Sequence, residues 1–277
     1  MRKSLGRFTI LLAAISVAVL AGAAIGVPEQ TYSFSIVTLD GRWEVTQAKS
    51  FQLKKQPGSN VYHYTMKGLP AKAEFTGTGG LKRVLTAPVI SIDAHVAAKP
   101  DGGKQDVLDH AVFTGGVKGT ETQSGVSLEM ASAAASVESL GVTFKTRLTG
   151  GVRIARNDPA SGSVLVTGSE GTVVSAATGD SSGDIEGPVH FVMHNLKGKH
   201  PSDFVSDCDH VHFDMTSSPF TVTMTGNVRT QGELASSPLQ MVSGVSARVV
   251  VRFVKVPGGY EVLDVTGDDG QAEIGDK

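Results

Sequence analysis

The chain contains one cysteine, Cys208, one tryptophan and few aromatic residues, which make up 6% of its 277 residues. A single cysteine excludes an internal disulfide, so no covalent cross-link stabilises the fold. Charged residues are also scarce, at 19%, and the formal net charge is -2 with both signs mixed along the chain. The sequence lacks the basic patch that nucleic-acid binding requires, and we expect no nucleic-acid partner.

The sequence also lacks the motifs of common catalytic sites, including a nucleophile elbow, a dinucleotide fingerprint and a P-loop. Residues 77–80, Gly-Thr-Gly-Gly, have the glycines of a phosphate loop but not its Lys-Ser/Thr ending, and they predict a hairpin turn. A parallel β-helix with carbohydrate-active carboxylates is an alternative, although Asp and Glu do not recur at equivalent positions. We therefore predict a protein that is not an enzyme and needs no cofactor.

What the chain has is a short recurring phrase, a turn-like Thr-Gly-Gly, Thr-Gly-Asn or Glu-Gly-Pro followed by an apolar residue and then a basic residue or histidine. Its copies occupy residues 78–82, 114–118, 149–153, 186–190 and 225–229, with a degenerate copy at 266–268. The first glycines are 36, 35, 37, 39 and 41 residues apart. This period predicts an elongated all-β protein of stacked repeats, each with two to four antiparallel strands and a turn at the phrase.

Strict alternation of apolar and polar residues predicts strands with one apolar face. Residues 128–140 are rich in alanine, which favours a helix, but their place in the repeat favours a strand. The apolar face is either ordinary core or a groove for apolar ligands. The candidate groove residues are Val189, Phe191, Met193, Val211, Phe213, Met215, Phe220, Val222, Met224, Val249, Val251 and Phe253.

The N-terminus begins with basic residues and continues in an uncharged run, residues 8–27, that ends at Pro28. Twenty residues of helix span the hydrocarbon core of a bilayer, so this run predicts a membrane anchor, and its small residues also allow a cleaved signal peptide. Either alternative implies export. We divide the chain into the leader, 1–27, an irregular first rung or cap, 28–75, the repeats, 76–270, which form one domain with the cap, and a polar tail, 271–277.

A cluster of histidines and aspartates lies between residues 190 and 214. His210 and His212 share a strand face, and Cys208 extends that row if the strand begins early enough, which makes a zinc or copper site one hypothesis. The competing hypothesis, which we favour, is that the histidines occupy the solvent face and bind no metal. The candidate ligands are His190, His194, Cys208, His210 and His212.

The leader, the repeated phrases and the alternating strands together resemble the lipopolysaccharide-transport proteins of the LptA/LptC type, also called OstA-like. The closest phrases are residues 112–118, Val-Phe-Thr-Gly-Gly-Val-Lys, and 220–229, which end in Thr-Gly-Asn-Val-Arg. The likeness covers about residues 60 to 270, and the anchored LptC-type member is the better match. The present chain is longer than one compact anchored module and has unusual histidines.

The resemblance implies an antiparallel β-jellyroll, or β-taco, whose interior shelters the acyl chains of lipopolysaccharide or a similar multi-acyl lipid. It implies a periplasmic protein anchored in the inner membrane by residues 8–27. It also implies edge-to-edge partners of the same fold and an inner-membrane transporter complex as the source of lipid. The alternative is an exported structural or adhesive β-solenoid with a fully packed interior and no lipid cargo.

Overall fold

The computed structural model describes residues 31–38, 41–77, 80–99, 102–141, 143–159, 162–176, 180–195, 202–233, 240–256, 259–268 and 271–275. The leader predicted at residues 1–27 lies outside these ranges. Among the residues described, no helix has the length and apolar character needed to span a membrane.

The described residues confirm the all-β prediction, because their regular structure consists of strands. The strands are β1 (Tyr32–Thr38), β2 (Gly41–Lys55), β3 (Val61–Gly77), β4 (Lys82–Ala98), β5 (Lys104–Gln123), β6 (Val126–Ser139), β7 (Thr143–Asp158), β8 (Gly162–Ala176), β9 (Ser181–Asn195), β10 (Ser202–Asp214), β11 (Phe220–Glu233), β12 (Gln240–Val256), β13 (Gly259–Asp268) and β14 (Gln271–Gly275). Residues 128–139 belong to β6, as the repeat position predicted, whereas residues 271–275, predicted as a tail, form β14.

The strands form one sheet in which β1 to β13 follow each other in chain order, each antiparallel to the next. β14 pairs with β12 beside β13. The sheet has one parallel contact, between Val37 of β1 and Val107 of β5, where the N-terminal end of the sheet closes on itself. The predicted first rung is therefore continuous with the rest of the sheet.

The recurring phrase lies in the middle of long strands, and not at hairpins as the sequence predicted. The first copy connects β3 and β4, with the Gly77 N–H donating to the Leu81 carbonyl at 3.0 Å, and the degenerate copy at 266–268 ends β13. In β5, Gly115 and Gly116 have φ of 91° and 95°, and these two residues oppose Ala133 alone on β6. Such an insertion is a β-bulge, which bends a strand, and glycine is favoured there because it adopts positive φ without strain.

Corresponding bulges cross the sheet in a continuous row, which we call the bulge line. They lie between Thr86 and Val89 in β4, Thr114 and Val117 in β5, Ala131 and Ala134 in β6, Thr149 and Val152 in β7, Thr167 and Glu170 in β8, Cys208 and His210 in β10, and Thr225 and Val228 in β11. Because neighbouring strands bend at the same place, the sheet as a whole folds along this line.

The bulge line divides the sheet into two walls that face each other. Wall A contains residues 48–55, 61–67, 89–98, 104–114, 134–139, 143–149, 170–176, 181–186, 210–214, 220–225 and 248–256. Wall B contains residues 34–38, 41–46, 71–77, 82–86, 117–123, 126–131, 152–158, 162–167, 189–195, 202–208 and 228–233. The ring of Phe144 in wall A lies 5.6 Å from that of Phe75 and 6.3 Å from that of Trp43, both in wall B. Apolar side chains from both walls form the core between them.

Candidate functional site

An elongated cavity of about 200 Å³ lies between the two walls. Its lining comes from both walls and extends from β2 to β12, and most of it is apolar. Wall B contributes Leu85, Met130, Ile154, Val164 and Phe191 among others, and wall A contributes residues such as Leu148 and Phe213. The cavity is therefore a product of the folded sheet and not of any single repeat.

Strand register places the wall B lining in two parallel rows. The proximal row, nearer the bulge line, is Val45, Ala73, Leu85, Gly119, Met130, Ile154, Val166, Phe191, Ser206 and Thr230. The distal row is Trp43, Phe75, Arg83, Glu121, Leu128, Arg156, Val164, Met193 and Phe204. The proximal row is apolar over the cavity, whereas the distal row is interrupted by charged residues.

These charged residues, with Asp158, form what we call the polar belt: Arg83, Glu121, Arg156 and Asp158. The Arg83 Nε atom lies 2.5 Å from a Glu121 carboxylate oxygen, and the Arg156 Nη2 atom lies 3.4 Å from an Asp158 oxygen. All four side chains are largely buried. Arg83 also donates to the Ala176 carbonyl of wall A at 3.2 Å, so it bridges the two walls.

Aromatic packing fills the N-terminal end of the interior. Trp43, Phe75 and Phe144 contact one another, and a second, small space of about 10 Å³ lies beyond them among apolar side chains. Trp43 borders both spaces, and its buried indole N–H has no hydrogen-bond partner among the described residues. The cavity therefore ends against this aromatic cluster.

The predicted groove residues fall into two groups. Eight line the cavity: Phe191, Met193, Val211, Phe213, Met215, Phe220, Val222 and Phe253. Four are buried but are not part of the lining: Val189, Met224, Val249 and Val251. Their role in lipid binding stays a prediction.

Sequence reasoning missed the half of the lining that comes from β4 to β8, including the polar belt. A signal was available, because the distal row lies four residues beyond the apolar residue of the second, third and fourth phrases. Counting from Val117, Val152 and Val189 gives Glu121, Arg156 and Met193. If the phrases had been interpreted as bulges, these positions would have been aligned with one another across the sheet.

The histidines lie on the outer faces of the walls, as the alternation predicted. Each of the seven in the described ranges has a ring nitrogen within 4.0 Å of an aspartate oxygen, in the pairs His63–Asp93, His95–Asp109, His110–Asp93, His190–Asp207, His194–Asp203, His210–Asp184 and His212–Asp184. The side chains are half-exposed, so each pair contributes little to stability.

Cys208 does not extend the His210 and His212 row. The bulge after Cys208 reverses the alternation, so the thiol is buried on the inner face while the two imidazoles lie outside. Within the described ranges no group of three or more potential ligands is arranged to bind a metal ion. Burial raises the pKa of the Cys208 thiol to about 11, which makes it a poor nucleophile at neutral pH.

No protein-family model, curated protein sequence or solved structure matches the chain. The interior cavity and its polar belt are therefore the basis for a functional assignment.

Proposed function

We propose that the protein binds acyl chains of lipopolysaccharide or a similar multi-acyl lipid between its walls and passes the lipid across the periplasm without chemical conversion. The observation that carries the proposal is the elongated cavity lined mostly by apolar side chains. Transfer of each methylene from water to such a surface contributes about 0.8 kcal/mol. Because these contacts are non-directional, a chain can be held and still slide out.

In this proposal the folded sheet is an antiparallel β-jellyroll of the β-taco form, preceded by an apolar helix. The bulge line supports this form, because it doubles one continuous sheet over an apolar interior. Each predicted repeat of 35–41 residues corresponds to two successive strands, and the phrases in β5, β7, β9 and β11 lie on the bulge line.

The edges of the sheet support edge-to-edge assembly at one end. β1 pairs with both β2 and β5 at the N-terminal end. At the other end, β13 pairs only with β12 among the described strands. An edge strand with one neighbour can accept another strand, so we propose that a partner of the same fold adds to β13. Residues 8–27 would anchor the protein in the inner membrane beside a transporter complex.

Photo-crosslinking in cells tests the cargo. A photoreactive residue at Phe220, which lines the cavity, should capture lipid, whereas the same residue at Thr223, which faces away, should not. Mass spectrometry of lipid co-purified with full-length protein supplies a second measurement. Phe220→Asp with Phe253→Asp should remove that lipid, and Thr223→Asp should retain it. Capture only from Thr223, or lipid-free wild-type protein that binds none when challenged, would refute the proposal.

The second candidate, an exported structural or adhesive solenoid, is favoured by one feature. The first strands are closed over a packed aromatic interior, as a purely structural β-protein requires. The experiment above separates the two, because a packed solenoid captures no lipid from any position.

A further inference from the structure

The polar belt lies inside the molecule, at the margin of a mostly apolar cavity. Its two arginines are in strands β4 and β7, and only Glu121 and Leu128 stand between them in the distal row. Both arginines are among the residues that line the cavity. An interior that is mostly apolar and carries two arginines with their paired carboxylates on one side matches a molecule with an alkyl tail and a polar head.

Stability alone does not account for the belt. A buried ion pair loses its hydration, and replacing it by apolar residues of similar size is often neutral or stabilising. Arg83 and Glu121 are surrounded by apolar neighbours such as Phe75 and Leu85, which would pack against apolar replacements. The retained charges are better explained by a ligand that they contact.

The arginines favour an oxyanion as the head group. A guanidinium has five N–H donors, so Arg83 can hold Glu121 and the Ala176 carbonyl and still donate to a further acceptor. Arginine matches the geometry of carboxylate and phosphate oxygens. The buried Trp43 N–H, without a partner among the described residues, borders the same cavity and is another donor for such a ligand.

The volume of the cavity limits the number and length of the alkyl chains that it can hold. A water molecule needs about 10–15 Å³ on this measure, so a cavity of about 200 Å³ holds roughly 13 to 20 groups of that size. A methylene group is of similar size. The cavity therefore accommodates one alkyl chain of about a dozen carbons with its head group, and not several chains together.

We propose that the cavity binds a single-chain alkyl oxyanion, a carboxylate or a phosphate monoester, with its head group at Arg83 and Arg156 and its tail towards Phe191 and Phe213. This assignment rests on the proposed binding of acyl chains between the walls, but it narrows the cargo. The volume admits one alkyl chain and not the several chains of a multi-acyl lipid, and the arginines define the head group. We therefore expect ligands with tails of equal length to differ in affinity according to the charge of their head group.

Titration calorimetry on the full-length protein at pH 7.5 tests this with four probes of equal chain length: dodecanoate, dodecyl phosphate, dodecanol and dodecyltrimethylammonium. We expect both oxyanions to bind at least tenfold more tightly than the alcohol, and the cation to bind more weakly still. Tighter binding of dodecyl phosphate than of dodecanoate identifies the head group as a phosphate monoester. Tighter binding of dodecanoate identifies it as a carboxylate. Occupancy should saturate at one chain per protein.

Two variants make the test specific. Arg83→Met with Glu121→Leu replaces one buried pair by apolar side chains, so the fold should survive, dodecanol should still bind and the preference for oxyanions should fall at least tenfold. Arg153→Met, in the same strand as Arg156 but on the outer face, should leave the preference unchanged.

The outcomes separate the two proposals. Equal affinities of wild-type protein for dodecanoate and dodecanol, or an unchanged preference in the double variant, would overturn the head-group assignment while leaving acyl-chain binding intact. Absence of binding by all four probes would refute acyl-chain binding itself. Saturation at several chains per protein would overturn the single-chain assignment.

Discussion

Two methionines offer a direct test of whether the cavity is open in solution. Met193 and Met224 are both almost fully buried, at 2% and 0% exposure. Met193 borders the cavity in the distal row, whereas Met224 lies nearer the bulge line between Val211 and Val249 of the neighbouring strands. The same substitution, Met→Ala, therefore removes the same atoms from two different packing environments.

The expected losses in the free energy of unfolding follow from those two environments. Removing three methylene-sized groups from a buried site costs about 2.4 kcal/mol in transfer free energy. At Met224 a new cavity adds to this, which should bring the loss to about 3–4 kcal/mol, within the usual range for buried methionine. Met193 is at the border of the cavity and has fewer dispersion contacts to lose on that side, so we expect about 2 kcal/mol.

Urea unfolding of the full-length protein, followed by circular dichroism, measures both free energies of unfolding. The m-values should match the wild type, because the surface exposed on unfolding is nearly unchanged. Dodecanoate at a saturating concentration should stabilise wild type and Met224→Ala by the same increment. Equal losses of stability in the two variants, measured without ligand, would refute the claim that Met193 borders an open cavity.

Three further predictions concern the bulge line, the buried thiol and the outer histidines. Gly150 has φ of 76°, and a Cβ atom there would lie 2.6 Å from the Ala133 Cβ, so Gly150→Ala should destabilise the protein more than Gly58→Ala. Gly58 has φ of 74° but open space around it, so we expect Gly58→Ala to lower the free energy of unfolding by about 1–2 kcal/mol through backbone strain alone. Gly150→Ala should lower it by about 1–3 kcal/mol more because of the close contact, and urea unfolding measures both losses. With a pKa of about 11 in the folded protein against 9.0 for a free thiol, Cys208 keeps its proton where the unfolded chain loses it, so stability should fall by roughly 2 to 3 kcal/mol between pH 9 and 11. Cys208→Ala should remove that part of the alkaline loss, and an unchanged pH profile would contradict the burial of the thiol. Zinc, copper and nickel should leave the melting temperature unchanged, and a shift that His210→Ala with His212→Ala abolishes would reveal a metal site on the outer face.

The recurring phrase shows where sequence reasoning succeeded and where it failed. Its period correctly indicated a regular β-structure, and alternation placed residues such as Phe191 and Val211 on the inner face. A Thr-Gly-Gly segment has the same local chemistry in a hairpin turn as in a bulge, because both use glycine at positive φ. Only the pairing of Thr114 with Ala134 and of Val117 with Ser132 distinguishes the two.

The sequence by itself determined that the chain is built of strands and which face most of their side chains occupy, since alternation acts over a few neighbouring residues. It also determined that His210 and Val211 point in opposite directions. The tertiary structure alone decided that a bulge separates Cys208 from that pattern, that the walls close over one another, and that Arg83 and Arg156 lie beside one cavity. These outcomes depend on register between strands and on contacts such as Phe75 with Phe144, which join residues far apart in the chain.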